Sequence, residues 1–313
     1  MKTLTCLAVL SLLLTGCAAQ PVFSPATDRL APWTESLSAQ QPEDAFASVY
    51  RVRNRNLVFI GAVHENQVDS KTFRLIGQAF DHYRFGRVIV EGYPTSRGAN
   101  PERLLQEAVE GATADGFQPS GETVPAERGA IRQGAQIWGG EPDDLNVKRY
   151  AMERGIAEAD ILGFYTLRVV PQWLRERQIL TPTDPRLNEL VDKELARQRQ
   201  QLAVPESVLP SAVAWKDWYA KVQGHALNDR FSTKEVGPRT DGAFSTNRIS
   251  AIIAEARDAH LHRLMVGQLS EGVSVLVVYG GSHLMIHQPA LARAIGKPCY
   301  VGDNLAQSVK SCR

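Results

Sequence analysis

The sequence is short of several things at once. It has 4 Cys and 4 Met in 313 residues, 7% aromatics, and no excess of either charge, with 35 Lys+Arg against 34 Asp+Glu for a formal net charge of +1. That balance leaves no basic footprint, so a nucleic-acid partner is not expected. So few cysteines rule out a disulfide-built scaffold, while 43% hydrophobic residues argue against a disordered chain. The apolar run from Leu4 to Leu14 is too short to span a bilayer, which takes about 20 residues. Missing too are G-x-S-x-G, G-x-G-x-x-G and a Walker loop, which removes a serine-hydrolase elbow and the usual nucleotide cradles. His64-Glu65 begins like HExxH, but position 68 is Val and the zincin reading fails.

The amino-terminal region reads as an address. Lys2 precedes the apolar run, and the run ends in Leu14-Thr15-Gly16-Cys17, which resembles a bacterial lipobox. This resemblance implies a lipoprotein signal peptide over 1–16, lipid on Cys17 as a membrane anchor, and a polar tether over 17–43. Ala18 after the lipidated Cys implies an outer-membrane lipoprotein facing the periplasm. Cys6 would leave with the signal peptide. Cys299 and Cys312 then form an even pair in an oxidising compartment, which predicts a disulfide closing the carboxy-terminal tail.

Residues 44–313 read as one α/β domain, with a central mostly parallel or mixed sheet flanked by helices and a helical insertion over about 160–227. Leu57–Ile60, Val88–Val90, Gln136–Trp138 and Val273–Tyr279 are short apolar runs of the kind that form buried strands. Ser70–Tyr83 has helical spacing, and strand, helix, strand predicts a parallel crossover. One helix is expected around Pro101–Glu110 in an otherwise irregular stretch from Gly92 to Gly134. Others are expected after Asp143 or Asp144 to about Arg154, from Asn247 to about Leu269, and after His283, with a short strand near Tyr300.

Two strands end alike, in Gly61-Ala62-Val63-His64 and Gly280-Gly281-Ser282-His283. In each G-x-x-H the glycine is expected to turn the backbone sharply and set the imidazole on the lip of the sheet, where it can act as base or metal ligand. Glu91 ends the neighbouring strand, where an ionised carboxylate needs a partner. Glu141 ends the third strand and reads as a helix-entry carboxylate of secondary rank. His64 to Glu91 spans 91 − 64 = 27 positions and Arg257 to His283 spans 283 − 257 = 26, so one crossover carries each pair to the same edge. Arg257 is either a stabiliser of developing negative charge or the buried partner of Glu91. His283 and His287 stand at i, i+4 and are a weaker candidate metal pair. His82, His225, His260 and His262 read as surface or helix residues.

These positions resemble the superfamily that includes TraB and Tiki proteins, ChaN haem-uptake lipoproteins and erythromycin esterases. It shares a first GxxH, a Glu ending the next strand, an Arg on a late helix and a second GxxH, matched here by Gly61/His64, Glu91, Arg257 and Gly280/His283. The resemblance spans roughly Leu57 to Ile295 and is weak in the middle of the chain. It implies a hydrolase acting on a peptide or ester bond through His64, Glu91, Arg257 and His283. His64, Glu91 and His283 would be ligands to a divalent metal such as Mn, Co or Zn, where one is used. The alternative it implies is a haem- or ligand-binding lipoprotein, with Tyr93, Tyr279 or a His on iron. An envelope interaction protein with a decayed site is a further reading. The chain departs from the pattern at Asp258, where TraB and Tiki commonly have Asn, and at Glu65, where a Thr or Asp is usual.

Overall fold

The computed structural model describes residues 26–228 and 230–312; the signal-peptide reading and Cys17 lie outside them. Among the described residues six strands form one sheet in the order β4-β3-β5-β2-β1-β6. In chain order they are β1 (Phe46–Val52), β2 (Arg55–Ala62), β3 (Arg87–Pro94), β4 (Gln136–Glu141), β5 (Val275–Gly280) and β6 (Tyr300–Gly302). Strands β4, β3, β5 and β2 run parallel, while β1 and β6 add antiparallel pairings at one side. The α/β class is therefore as the sequence indicates, with a mixed, mostly parallel sheet.

The helices are α1 (Glu35–Ser38), α2 (Lys71–His82), α3 (Glu102–Glu107), α4 (Thr123–Gln133), α5 (Asp144–Glu153), α6 (Glu158–Leu167), α7 (Val170–Arg175), α8 (Leu187–Leu202), α9 (Ala212–Gln223), α10 (Ser245–Ser270), α11 (Gly281–Ile295) and α12 (Leu305–Ser311). Ser70 caps α2 by accepting from the Phe73 N–H, and Leu75, Ile76, Ala79 and Phe80 turn inward. The middle strands are apolar throughout because both faces are covered. Val58, Ile60, Leu276 and Val278 join a core with α2 and α4, while Leu57, Phe59, Val277 and Tyr279 join one with α10 and α11. Helices α6 to α9 build a separate core around Trp215, Tyr165 and Phe164, in the region expected as a helical insertion.

Three features differ from the sequence reading. Strand β1, helix α4 and helix α12 were not expected, because α4 follows a stretch without apolar periodicity and the other two are flanked by polar residues. The expected crossover from β2 to β3 is parallel, but β5 lies between the two strands. Residues assigned to the tether are part of the fold: Trp33 is 3% exposed and packs with Ala251, Ala254 and Ile286. The predicted disulfide is present between Cys299 and Cys312, joining the end of α12 to the segment before β6.

Candidate active site

The insertion of β5 decides where the site forms. Gly61 and Ala62 pair in register with Tyr279 and Gly280, so the two G-x-x-H motifs leave neighbouring strands side by side. Val90 pairs with Val278 on the other flank of β5, which brings Glu91 to the same carboxyl edge. The β3–β4 register shifts after Val90, and Gly92 has φ +88°, a left-handed conformation suited to glycine. This irregularity follows Glu91, which lies inside β3 rather than at its end as expected, because the strand resumes pairing with β4 at Pro94.

The glycines of the two motifs act differently from expectation. Neither has positive φ. Both are required for space instead. A Cβ on Gly61 would stand 3.0 Å from the Gly281 Cα, and a Cβ on Gly280 would stand 3.0 Å from His64 Nε2.

Each imidazole is gripped from behind by a carboxylate. His64 Nδ1–H donates to Glu122 Oε1 at 2.6 Å, and His283 Nδ1–H donates to Asp258 Oδ1 at 2.6 Å. The opposite nitrogens face one carboxylate: His64 Nε2 lies 3.8 Å from Glu91 Oε2, and His283 Nε2 lies 3.7 Å from Glu91 Oε1. Glu91 also accepts from the Gly280 N–H at 2.8 Å and from Arg257 Nη2 at 2.6 Å. Arg257 reaches further, with Nε and Nη2 both on Glu141 at 2.6 Å. The structure thus brings His64, Glu91, Arg257 and His283 together.

Charge follows this wiring. Packing around the His64 ring disfavours its charged form, yet Glu122 and Glu91 outweigh that and raise its pKa to about 9. Its side chain is still 44% exposed, against 7% for His283. Burial also opposes charge on His283, and Asp258 with Glu91 again prevails in the upward direction. Burial would raise Glu91, but Arg257, the two imidazoles and the Gly280 N–H hold it well below the usual carboxylate range. Asp258 is held low in the same way by His283 and His287.

Two residues absent from the sequence assignment are central to the geometry. Glu122 precedes α4 in an irregular, Gly-containing stretch, where nothing periodic marks it. Asp258 was visible only as a departure beside Arg257. It also accepts from Trp33 Nε1–H at 2.9 Å, and the Trp33 ring meets the His283 ring edge-on at 5.1 Å. Glu141, ranked secondary, is a full partner of Arg257 and accepts from the Tyr279 hydroxyl at 3.1 Å.

The remaining histidines separate from the site. His287 shares Asp258 with His283, its Nε2 3.1 Å from Asp258 Oδ1, rather than facing a common open position. His262, read as a surface or helix residue, is on α10 and wholly buried, stacked on His287 with centroids 5.8 Å apart. His260 bonds to the Thr95 hydroxyl at 2.8 Å. The candidate iron ligands are engaged elsewhere: the Tyr93 hydroxyl donates to Glu107, and Tyr279 is buried on Glu141.

The donors suit a divalent cation chemically. Two Nε2 atoms have Nδ1 fixed by carboxylates, as metal-bound histidines usually do. Glu91 and Glu141 pair with Arg257 while Glu122 and Asp258 back the two imidazoles, so four carboxylates and one guanidinium sum to −4 + 1 = −3, which two imidazole protons or one divalent cation would reduce to −1. Among the described residues, no group of three or more His, Cys, Asp or Glu forms a ready-made metal cage.

No family model, no curated protein and no solved structure matches this chain.

Proposed function

We propose that the chain is a hydrolase of peptide or ester bonds, of the TraB, Tiki, ChaN and erythromycin-esterase type, anchored in the bacterial envelope through Cys17. The observation that carries the reading is the convergence of two carboxylate-backed imidazoles on Glu91. A structural ion pair alone would need Arg257 and Glu91, not a matched pair of oriented Nε2 atoms.

His64, the more exposed ring, takes a proton from water as the oxygen attacks the substrate carbonyl, and returns it to the leaving group. Its Nδ1–H bond to Glu122 fixes the tautomer that leaves Nε2 as acceptor. Charged His283 and the positive amino-terminal end of α11 face the oxygen that gains charge. Glu91 orients both rings. Arg257 is a positioning residue in this scheme, since its Nε and Nη2 are committed to Glu91 and Glu141. In a metal-loaded form, in place of those acid–base roles, the neutral Nε2 atoms of His64 and His283 together with Glu91 would hold a divalent cation. When bound, such an ion supplies Lewis acidity and brings the pKa of water to about 7.

The test is turnover of peptide and ester panels by the parent and by His64→Ala, each with and without added Mn, Co or Zn. Activity should fall at least a hundredfold in H64A, while the unfolding midpoint stays near that of the parent because the ring is partly exposed. Equal activity in the two proteins would end the proposal. Without metal, kcat/KM should rise with pH towards about 9, where His64 becomes neutral; a flat profile would remove His64 as base. A Soret band on mixing with haem, with no turnover of either panel, would favour the binding alternative.

A further inference from the structure

A groove of about 650 Å³ runs between α5 and α10, on the flank of α10 away from Asp258. Thr27, Arg149, Glu153, Arg154 and Arg263 are among the residues lining it. Three guanidinium groups therefore meet one carboxylate. Arg149 donates to the neutral Asn146 side chain at 2.9 Å, and Arg154 donates to the Tyr150 carbonyl at 3.3 Å and lies over the Tyr150 ring. Among the described residues neither these two nor Arg263 enters an ion pair, whereas many other arginines do.

A second observation concerns the same helix. Leu145 and Met152 are 53% and 47% exposed, and with Arg149 they fall at i, i+7 and i+4, on one stripe. Apolar residues beside arginine on an exposed helix face are the composition of a helix lying at a lipid–water interface. A third is the position of Thr27 in the groove wall. It stands 27 − 17 = 10 positions from Cys17, a span of at most about 36 Å.

We propose that this face of α5 and α10 rests on anionic lipid headgroups, the three guanidinium groups meeting phosphates and Leu145 and Met152 reaching the acyl boundary. Arginine suits that contact because its planar fork matches phosphate oxygens in pairs. Arg257 and Asp258 lie on other faces of α10 than the groove residues Ala256, Ala259, His260 and Arg263. The idea that the anchor and this face act together rests on the lipid-bearing role of Cys17; headgroup binding itself does not.

The experiment uses the chain from Ala18 onward, which keeps every described element and the disulfide but carries no lipid. It is sedimented with phosphatidylglycerol or phosphatidylcholine vesicles at low and high salt. Retention on phosphatidylglycerol that fades with salt is expected. The triple variant R149Q/R154Q/R263Q should bind roughly a hundredfold less, as each arginine at an anionic surface contributes about 1 kcal/mol. Its unfolding midpoint should match the parent, because all three side chains are exposed. Equal retention on both lipids, unchanged retention of the triple variant, or no retention at low salt would overturn the proposal. Saturable binding of inorganic phosphate without vesicle retention would overturn it in favour of a soluble anion. Mass spectrometry of Cys17 in the full chain separates the two readings: an unmodified thiol with vesicle binding intact removes the anchor and keeps the surface.

Discussion

Glu127 illustrates how much a single buried group can govern. It sits on α4 with no exposed surface, and neither carboxyl oxygen has a hydrogen-bond partner among the described residues. Burial, then repulsion from Glu107 and Glu110, raises its pKa to about 9. The folded state therefore holds a proton there that the unfolded chain releases near pH 4.5. Between those two values stability must fall as pH rises. Replacing Glu127 with Gln removes the titration, so E127Q should gain stability over the parent progressively from pH 5 to pH 9, measured by urea unfolding across that range. An equal response of both proteins to pH would show that Glu127 is already ionised in the fold. The structure brings together four residues that the sequence singles out. His64, Glu91, Arg257 and His283 could be found because each follows an apolar run or lies on a late helix with a recognisable neighbour. Glu122 and Asp258 could not, because what they do depends on which imidazole nitrogen they meet, and no spacing in the chain encodes that.

At the scale of elements, the sharp feature is the end of β3. Gly92 holds a left-handed conformation right after Glu91, and no atom lies within 4 Å of where its Cβ would be. The cost of adding a methyl group is then conformational rather than steric, about 1–2 kcal/mol for an L residue in that region. Gly92→Ala should lower stability by that amount and reduce activity more than proportionally, by moving Glu91 away from the imidazoles. Thermal unfolding together with kcat on the same preparation checks this; full activity at reduced stability would mean that Glu91 does not depend on the bulge. Strands of the central sheet were legible because apolar runs covered on both faces leave a dense signal. Helix α4 was not, since its inward face is Val124, Ala126, Glu127, Gly129 and Ala130, small or charged residues that form no run of large apolar side chains. The amino-terminal segment was misassigned for a related reason. Trp33 stands in a short stretch without strand or helix periodicity, and what buries it (Ala251, Ala254 and Ile286, with Asp258 accepting its Nε1–H) lies far along the chain.

At the scale of the whole molecule, the carboxy-terminal end is held by a covalent link as well as by packing. The Cys299–Cys312 bond closes a loop of separation 13, and Tyr83 bonds to Ser308 on α12 at 2.5 Å. Loop-closure entropy for such a ring is about 3 kcal/mol. Reduction with a thiol, or the variant C299S/C312S, should lower the unfolding midpoint accordingly and free α12 for proteolysis, while turnover at low temperature persists because neither cysteine lies near His64 or His283. A midpoint that does not respond to reduction would mean that β6 and α12 are held by packing alone.

The position of β5 sets a schedule for assembly. Among the described residues the strand at the heart of the sheet is the fifth of six in chain order, so β2 and β3 must wait beside an open slot until residues near 280 emerge. Pairings this distant in the chain form slowly and leave unpaired strand edges exposed meanwhile. A polypeptide cut short before Val275 would lack both one motif and the backbone that joins the two halves, and would depend on chaperones to stay in solution.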